Sequence, residues 1–315
     1  MSTTRHTDDG AYRTVREALR AATAHLEAAG VPDAAVDARY LVAHALGVER
    51  AVLLRAPEHV IDDDARRRLI DMLTRRAARE PVSRIIGERA FHGLTLALNA
   101  DTLDPRPDTE TLVNVALALA ADIQVQDGPL KILDLGTGTG AIVLALLAAL
   151  PNAEATATDI SISALDMARR NAERHGLAGR VRFVQSRWLD DVDGRYHLVI
   201  SNPPYIPSAE IAGLAAEVAQ WDPRRALDGG PDGLDAYRAI LADASRALEP
   251  DGWAILEVGH DQAAEVAALA VNHGLAPAPL DWLLLRDLGG NTRCVAAATS
   301  GRNWKINLGI AGQGG

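Results

Sequence analysis

The chain has 315 residues, 48% of them hydrophobic and 23% charged, with a single cysteine and a formal net charge of −10. This composition is ordinary for a globular protein, and the length allows two domains. One cysteine excludes an internal disulfide and a cysteine-based metal cage. Neither a secretory signal at Met1–His6 nor a membrane-spanning apolar run is visible, so we expect a cytoplasmic protein without membrane contact.

The acidity is uneven, because Met1–Thr95 is close to neutral and the rest of the chain carries the negative charge. A protein that holds long stretches of nucleic acid through its phosphates needs a basic face. We therefore expect no stable nucleic-acid binding, although acidity can also serve solubility alone.

Residues 12–80 show the periodicity of amphipathic helices. Apolar residues recur at three- and four-residue spacing in three stretches: Leu19, Ala22, Leu26 and Ala29; Ala38, Leu41, Val42, Ala45 and Leu46; and Leu69, Ile70 and Leu73. Gly30 and Gly47 end the first two stretches, and Asp62–Asp64 supply a cap and first-turn acids for the third. Residues 1–80 are therefore predicted to form a helical bundle, either a packing appendage or a partner-docking domain.

Beyond Pro81 the pattern changes. Val82–Leu98 favours short strands around Gly87 and Gly93, so residues 81–104 are predicted to form a β-hairpin linker. Residues 105–299 then alternate strands and helices, which predicts a doubly wound α/β domain with parallel pairing, followed by a flexible tail at residues 300–315. The predicted strands are Leu130–Leu135, Ala153–Asp159, Val181–Gln185, Tyr196–Ser201, Trp253–Val258 and Arg293–Ala298, the last closing the sheet; the predicted helices are Ala141–Leu150 and Ser163–His175.

A glycine-rich segment, Gly136-Thr137-Gly138-Thr139-Gly140, joins the first of these strands to its helix. Glycines allow a sharp turn and the close approach of a ligand to the helix N-terminus. Asp159 ends the next strand, where a carboxylate can accept both hydroxyls of a ribose. A dinucleotide and S-adenosylmethionine are both candidate ligands. The glycine spacing departs from Gly-x-Gly-x-x-Gly, and Asp134 before the glycines suits a cationic ligand, so S-adenosylmethionine is favoured.

The tetrapeptide Asn202-Pro203-Pro204-Tyr205 directly follows the fourth strand, at the sheet edge where such folds bind ligands. An amide or exocyclic amino nitrogen is a poor nucleophile because its lone pair is delocalised. The Asn202 carboxamide oxygen and the Pro203 carbonyl can each accept one N–H, which would fix a planar NH₂ group with its π face toward a sulfonium methyl. The prolines stiffen the segment, and Tyr205 can stack on a flat amide or base. This arrangement suits adenine and glutamine equally.

These motifs resemble those of the HemK/PrmC family, protein-(glutamine-N5) methyltransferases that act on peptide chain release factors. The resemblance spans about residues 12–299. Further matching segments, in the family's order, are Glu80-Pro81-Val82, Ile86-Gly87-Glu88, Pro105-Arg106-Pro107-Asp108-Thr109-Glu110, Ala226–Leu234 with Tyr237-Arg238, and Asp287–Asn291. The resemblance implies a seven-stranded Rossmann-like methyltransferase domain with a small helical N-terminal domain that docks a class I release factor. The implied substrate is the glutamine of the Gly-Gly-Gln loop.

Site residues follow from the same resemblance. The glycine segment, Asp159, Trp188 and Asn202 would contact S-adenosylmethionine, while Asn202-Pro203-Pro204-Tyr205 would perform the catalysis and form the glutamine pocket. At the entrance, Arg106 would contact the substrate.

The other charged residues of that entrance, Asp108 and Glu110, would shape it with Arg106, or all three would form structural ion pairs. Arg187 departs from the family, since similar proteins often carry an acid beside the aromatic residue. The alternatives are adenine-N6 methylation of nucleic acid, glutamine methylation of another protein such as a ribosomal protein, and an inactive cofactor-binding docking protein. The acidic balance and the segment Pro105–Glu110 favour the release factor.

Overall fold

The computed structural model describes residues 12–125, 127–279, 285–287 and 289–299, so the predicted tail at 300–315 lies outside the described residues. The helices in chain order are α1 (Val15–Ala28), α2 (Ala34–Leu46), α3 (Arg50–Arg55), α4 (Asp63–Ala77), α5 (Val82–Ile86), α6 (Thr109–Ala121), α7 (Ala141–Ala149), α8 (Ile162–Arg174), α9 (Ala216–Ala219), α10 (Asp235–Ala247) and α11 (Ala263–Asn272). The strands are β1 (Glu88–Phe91), β2 (Leu94–Ala97), β3 (Leu130–Leu135), β4 (Ala153–Asp159), β5 (Val181–Gln185), β6 (Tyr196–Ser201), β7 (Leu248–Glu257), β8 (Leu275–Pro277) and β9 (Cys294–Thr299).

The chain divides into two compact units. The first ends at Gly87 and also includes the short segment Ala216–Trp221, whereas the second begins at Glu88 and resumes at Asp222. The boundary between the units thus falls inside the predicted 81–104 linker. The assignment of functional domains to residues 1–80, 81–104 and 105–299 stays a prediction.

The first unit contains the predicted helices with their predicted ends. Asp62 caps α4 by accepting from the Ala65 N–H at 2.7 Å, and Gly47 ends α2 in the left-handed conformation with φ of 66°. Apolar faces of α1, α2 and α4 pack into one core. On α4, Leu69 and Leu73 are buried as predicted, while Met72 is also buried and Ile70 is only partly so.

Val82–Ile86, predicted as a strand, is instead the helix α5. Its β-branched residues favour a strand by composition, but Ile85 is buried in the helical core, and Pro81 and Gly87 flank a single turn. Five residues are too few for periodicity to distinguish the two structures. The hairpin is therefore shorter than predicted. It consists of β1 and β2, joined by His92 and Gly93 with φ of 45° and 80°, as in a two-residue turn of the type that suits hairpins.

Arg76 offers a stability test within the first unit. Its side chain is 7% exposed and donates to Asp37 Oδ2 at 2.7 Å and to Glu217 Oε1 at 3.0 Å. Truncation leaves poorly solvated carboxylates without this partner, so we expect Arg76→Ala to lower the free energy of unfolding by about 3 kcal/mol. Arg16→Ala, the control, removes an ion pair exposed on both sides and should lower it by less than about 1 kcal/mol. Urea unfolding of the full chain measures both, and equal effects would contradict this assignment.

The second unit is built on a seven-stranded sheet with the order β5-β4-β3-β6-β7-β9-β8. The five strands β5, β4, β3, β6 and β7 pair in parallel with one another. Strand β9 is antiparallel to both β7 and β8. The last predicted strand therefore does not close the sheet. The edge is β8, which the sequence analysis missed because it has only three residues and ends at Pro277.

Helices cover both faces of this sheet. Successive β3 residues alternate between two cores, with Ile132 in the core that includes residues of α6 and α7, and Leu133 in the core that includes residues of α10 and α11. This is the predicted Rossmann-like α/β architecture, and it is confirmed. Strand order reverses between β3 and β6, and ligands in such folds bind at that reversal, beyond the carboxyl ends of the strands. Leu135, Asp159, Ser201 and Glu257 end the four strands β3, β4, β6 and β7 at this edge.

Candidate functional site

The glycine segment after β3 forms a loop that hydrogen bonds hold firmly. Gly136, Gly138 and Gly140 have φ of 70°, 55° and 82°, a region in which any side chain would be strained. The Thr137 N–H donates to the Thr158 carbonyl at 2.8 Å, which ties the loop to β4. The Asn171 amide donates to the Thr139 carbonyl at 2.9 Å from α8. The loop is therefore preorganised before the N-terminus of α7.

Asp159 lies beside that loop, at the end of β4. Its Oδ2 accepts from the Gly138 N–H at 3.0 Å, and its Oδ1 accepts from the Ser161 N–H at 2.8 Å. Burial raises the pKa of Asp159, and the two backbone donors act against that rise. Each carboxylate oxygen keeps a further lone pair, so the pair can still accept two hydroxyl groups.

Asp134, which the sequence analysis placed before the glycines, lies beneath the loop with no exposed surface. The Thr137 hydroxyl donates to its Oδ2 at 2.7 Å, and its Oδ1 has no hydrogen-bond partner among the described residues. Burial raises the pKa of Asp134 to about 7, although the Thr137 hydroxyl lowers it. Asp134 thus braces the loop from below instead of facing a ligand.

This buried carboxyl group predicts a pH dependence of stability. Because its pKa is about 7 in the folded protein, the folded chain holds a proton that the unfolded chain has released above about pH 4. The stability it contributes is complete below pH 4 and is lost as the pH rises through 7. Near pH 5.5, the free energy of unfolding of the wild-type protein should fall with rising pH. We expect that of Asp134→Asn to fall less steeply, by about 1 kcal/mol per pH unit.

Urea unfolding at a series of pH values from 4.5 to 7.5 measures this slope. Asp251→Asn, at an exposed position, is the matched control and should leave the slope unchanged. A slope for Asp134→Asn equal to that of the control would contradict the assignment.

A cavity of about 400 Å³ opens above the loop, wholly within the second unit. The sequence-predicted residues that line it are Gly136, Thr137, Gly138, Thr139, Asp159, Trp188, Asn202 and Pro204. Gly140, Pro203, Tyr205 and Arg106 are not among its lining residues. Three of the carboxylates around it pair with arginine side chains, Asp101 with Arg225, Asp228 with Arg224 and Asp235 with Arg238, whereas Asp159 accepts only from backbone N–H groups among the described residues. Asp159 therefore suits a ligand that has hydroxyl groups.

Trp188 forms one wall of the cavity. Its φ of 51° is rare for a bulky residue, and such strain persists where the surroundings impose it, often at functional sites. A Cβ atom on Gly136 would lie 3.6 Å from Trp188 Cζ3, so the ring stands directly over the loop. Arg187 lines the cavity too, with an exposed side chain.

Asn202-Pro203-Pro204-Tyr205 continues from the end of β6, and Asn202 and Pro204 line the cavity. The Ser201 hydroxyl donates to the Leu135 carbonyl at 2.7 Å and joins the ends of β6 and β3. The Asn202 amide nitrogen donates to Thr109 Oγ1 at 3.1 Å, and the Gln262 side chain donates to the Tyr205 carbonyl at 2.9 Å. Burial raises the pKa of Tyr205 to about 12, so its phenol is neutral near pH 7.

The Ala226–Leu234 segment packs its glycines against this tetrapeptide. A Cβ atom on Gly229 would lie 2.9 Å from the Pro204 carbonyl oxygen, and one on Gly233 would clash with the Tyr205 carbonyl oxygen. Only glycine permits this approach, which explains why the segment is glycine-rich. The tetrapeptide is consequently held on its outer side by backbone.

Charged residues of the segment Pro105–Glu110 make ion pairs and hydrogen bonds within the second unit. Arg106 pairs with the buried Asp222, and Asp108 accepts from Arg293 at 2.8 Å. Glu110 accepts from the His92 N–H at 2.9 Å. These contacts favour the ion-pair alternative for the three residues, and a substrate contact by Arg106 stays a prediction.

Several residues of the site were not predicted. Thr109 and Arg225 line the cavity. Gln262 donates to the Tyr205 carbonyl, and Glu257 is buried near Asn202. Glu257 could have been predicted as a site residue, because it is a carboxylate near the end of the predicted apolar strand Trp253–Val258. Nothing in the sequence marked Gln262.

Comparisons with known proteins show the family to which the chain belongs. Residues 17–87 match the family described as PrmC N-terminal domain, and residues 115–220 match the methyltransferase small domain. A release factor glutamine methyltransferase of Agrobacterium fabrum is 45% identical over 284 residues, which cover 90% of this chain and 97% of that protein. One of Deinococcus radiodurans is 43% identical over 288 residues, covering 91% and 99%. This chain belongs to the release factor glutamine methyltransferase family.

The fold has a counterpart among solved structures. The hMettl16 catalytic domain, solved in complex with the MAT2A 3′UTR hairpin 6, covers 72% of this chain and 82% of its own with a TM-score of 0.51. At 16% identity this likeness concerns the fold alone. No helix in the described part of the chain is long and apolar enough to cross a bilayer.

Proposed function

We propose that this enzyme methylates the side-chain amide nitrogen of the glutamine in the Gly-Gly-Gln loop of class I release factors, with S-adenosylmethionine as donor. One observation carries the proposal. Asn202 lines the same cavity as the glycine loop and Asp159, so a side-chain acceptor for an NH₂ group lies in the pocket that would hold the nucleoside. Relatives that are 36% to 47% identical to the chain are named release factor glutamine methyltransferase.

The described residues fit S-adenosylmethionine. Asp159 keeps lone pairs for two ribose hydroxyls, and the Trp188 ring offers an apolar face beside Gly136. Arg187 is exposed and has only donors, so its side chain supplies no acceptor for the adenine amine.

The chain's own residues act mainly by positioning. S-adenosylmethionine supplies a methyl group on a sulfonium, whose transfer to the amide nitrogen leaves a neutral thioether and releases one proton. Asn202 Oδ1 and the Pro203 carbonyl each accept one N–H of the glutamine amide, which fixes its plane. Pro203 and Pro204 restrict the backbone, so little freedom is lost on binding. Tyr205, neutral near pH 7, stacks on the amide without adding charge.

Proton release needs no strong base in this arrangement. A methylated amide nitrogen that still carries its proton is strongly acidic, so water accepts that proton. Positioning therefore accounts for most of the rate.

A labelled-methyl transfer assay tests the proposal. The purified protein and radiolabelled S-adenosylmethionine are incubated with one acceptor at a time. The acceptors are a class I release factor, its Gln→Ala variant at the Gly-Gly-Gln loop, a ribosomal protein mixture, and DNA. We expect label on the wild-type release factor alone. Label on DNA would favour adenine methylation, and label on the ribosomal proteins would favour another glutamine. No label on any acceptor would favour an inactive docking protein; each of these three results would overturn the proposal.

A further inference from the structure

Asn202 hydrogen bonds through one end of its carboxamide only. Its Nδ2 donates to Thr109 Oγ1 at 3.1 Å, and its Oδ1 has no donor within the described part of the chain. Thr109 is the first residue of α6, is 3% exposed, and lines the cavity beside Asn202. The contact therefore joins the substrate tetrapeptide to a side chain from a different element.

Glu257 lies behind this pair. It ends β7, the strand adjacent to β6, and is 3% exposed. Burial raises the pKa of Glu257 to about 7, and the nearby side chains of Thr109 and Asn202 act against that rise. Its Oε2 is buried with no hydrogen-bond partner among the described residues. A carboxylate in this place faces two side-chain donors from two other elements.

The hydrogen-bond donors and acceptors of this cluster determine the orientation of the Asn202 carboxamide. Thr109 has one hydroxyl proton, and because its oxygen accepts from Asn202, that proton is free to go to Glu257. Above about pH 7 the carboxyl group of Glu257 is ionised and only accepts hydrogen bonds. If the Asn202 carboxamide were turned over, its oxygen would compete with the carboxylate for the single Thr109 hydroxyl proton and would lie near the carboxylate, where lone pairs repel. The amide nitrogen is thus held toward Glu257, and the oxygen is left for a ligand.

We propose that Thr109 and Glu257 are positioning residues that hold the Asn202 carboxamide with Oδ1 directed to the substrate NH₂ group. This inference rests on the proposed function, because it assumes that an NH₂ group is the acceptor. In the opposite orientation Asn202 would present an NH₂ group to the substrate NH₂ group. Two donors cannot pair, so that orientation is unproductive.

Three variants test the inference. Thr109→Val keeps the shape of the side chain and removes the hydroxyl, whereas Thr109→Ser keeps the hydroxyl and removes a methyl group. Glu257→Gln keeps the shape and introduces an NH₂ group that can turn Asn202 over. For each variant, kcat and KM are measured with purified release factor, the Kd of S-adenosylmethionine is measured by calorimetry, and the midpoint of thermal unfolding is recorded.

We expect Thr109→Val to lower kcat by about tenfold or more, since a hydrogen bond to a charged network is removed. Thr109→Ser should retain most of the wild-type kcat. Glu257→Gln should lower kcat at least as much as Thr109→Val. All three should keep the Kd of S-adenosylmethionine within about threefold of wild type, because none of these atoms is needed to hold the donor.

Equal kcat values for Thr109→Val and Thr109→Ser would overturn the inference. So would a loss of kcat that runs in parallel with a lower unfolding midpoint and weaker donor binding in Thr109→Val, which is the pattern of a merely structural role. Failure of the proposed function looks different, because the wild-type protein itself would then transfer no label to the release factor, and both proposals would fall together.

Discussion

Asn202→Ala should lower kcat for methyl transfer by about 100-fold or more, while the Kd of S-adenosylmethionine stays within a few-fold of wild type. Preorganised hydrogen-bond partners at a reacting centre are typically worth this much. The substitution removes the acceptor that would orient the substrate NH₂ group and leaves Thr109 without its donor. The other groups proposed to hold the donor, Asp159 and the glycine loop, are untouched.

Single-turnover kinetics with excess enzyme measures this effect free of product release, and calorimetry measures donor binding. Asn152→Ala, at an exposed position before β4, is the matched control and should behave as wild type. If donor affinity collapses as much as kcat in Asn202→Ala, Asn202 serves mainly the cofactor, and the division of roles proposed for the site is wrong.

Asp159→Ala should raise the Kd of S-adenosylmethionine by an order of magnitude or more. A carboxylate that accepts two hydroxyl groups contributes roughly 1.5–3 kcal/mol, and each 1.4 kcal/mol is tenfold in affinity. The variant also loses the acceptor of the Gly138 and Ser161 N–H groups, so the loop is less well held. Both effects weaken binding in the same direction.

Asp159→Asn helps to separate these two contributions. It keeps one carbonyl oxygen for the loop but lacks the charge, so its Kd should lie between those of wild type and Asp159→Ala. Asp166→Ala, an exposed carboxylate on α8, controls for the general loss of negative charge. Isothermal titration with S-adenosylmethionine gives each Kd. A Kd unchanged in Asp159→Ala would count against the assignment of this carboxylate to the ribose.

The architecture of the second unit followed from apolar patterning to a large extent. Buried parallel strands are continuous apolar runs, so Leu130–Leu135 and Tyr196–Ser201 were predicted with the observed limits. The pattern was less informative where segments are short. Val82–Ile86 and Leu275–Pro277 have too few residues for a period to show, and their structure follows from what they pack against.

The two motif sites were also predictable, since a glycine loop after a strand and a tetrapeptide after another strand meet at one sheet edge by topology. For Asp134 and Arg106, however, the structure shows contacts that the sequence did not indicate. Asp134 was expected to suit a cationic ligand, yet it lies under the loop and accepts from Thr137. Arg106 pairs with Asp222, which is more than a hundred residues away along the chain, and its contact with the substrate stays a prediction.

By itself, the amino-acid sequence determined the α/β fold of the second unit, the glycine loop and the candidate grip on an NH₂ group, because each depends on contiguous residues. Only the tertiary structure decided which side chains support that grip. Thr109, Glu257 and Gln262 reach Asn202 and Tyr205 from separate elements, and no local spacing encodes such contacts. The end of the Asn202 carboxamide that faces the substrate is therefore a property of the assembled sheet edge, where donors and acceptors from three elements must be matched.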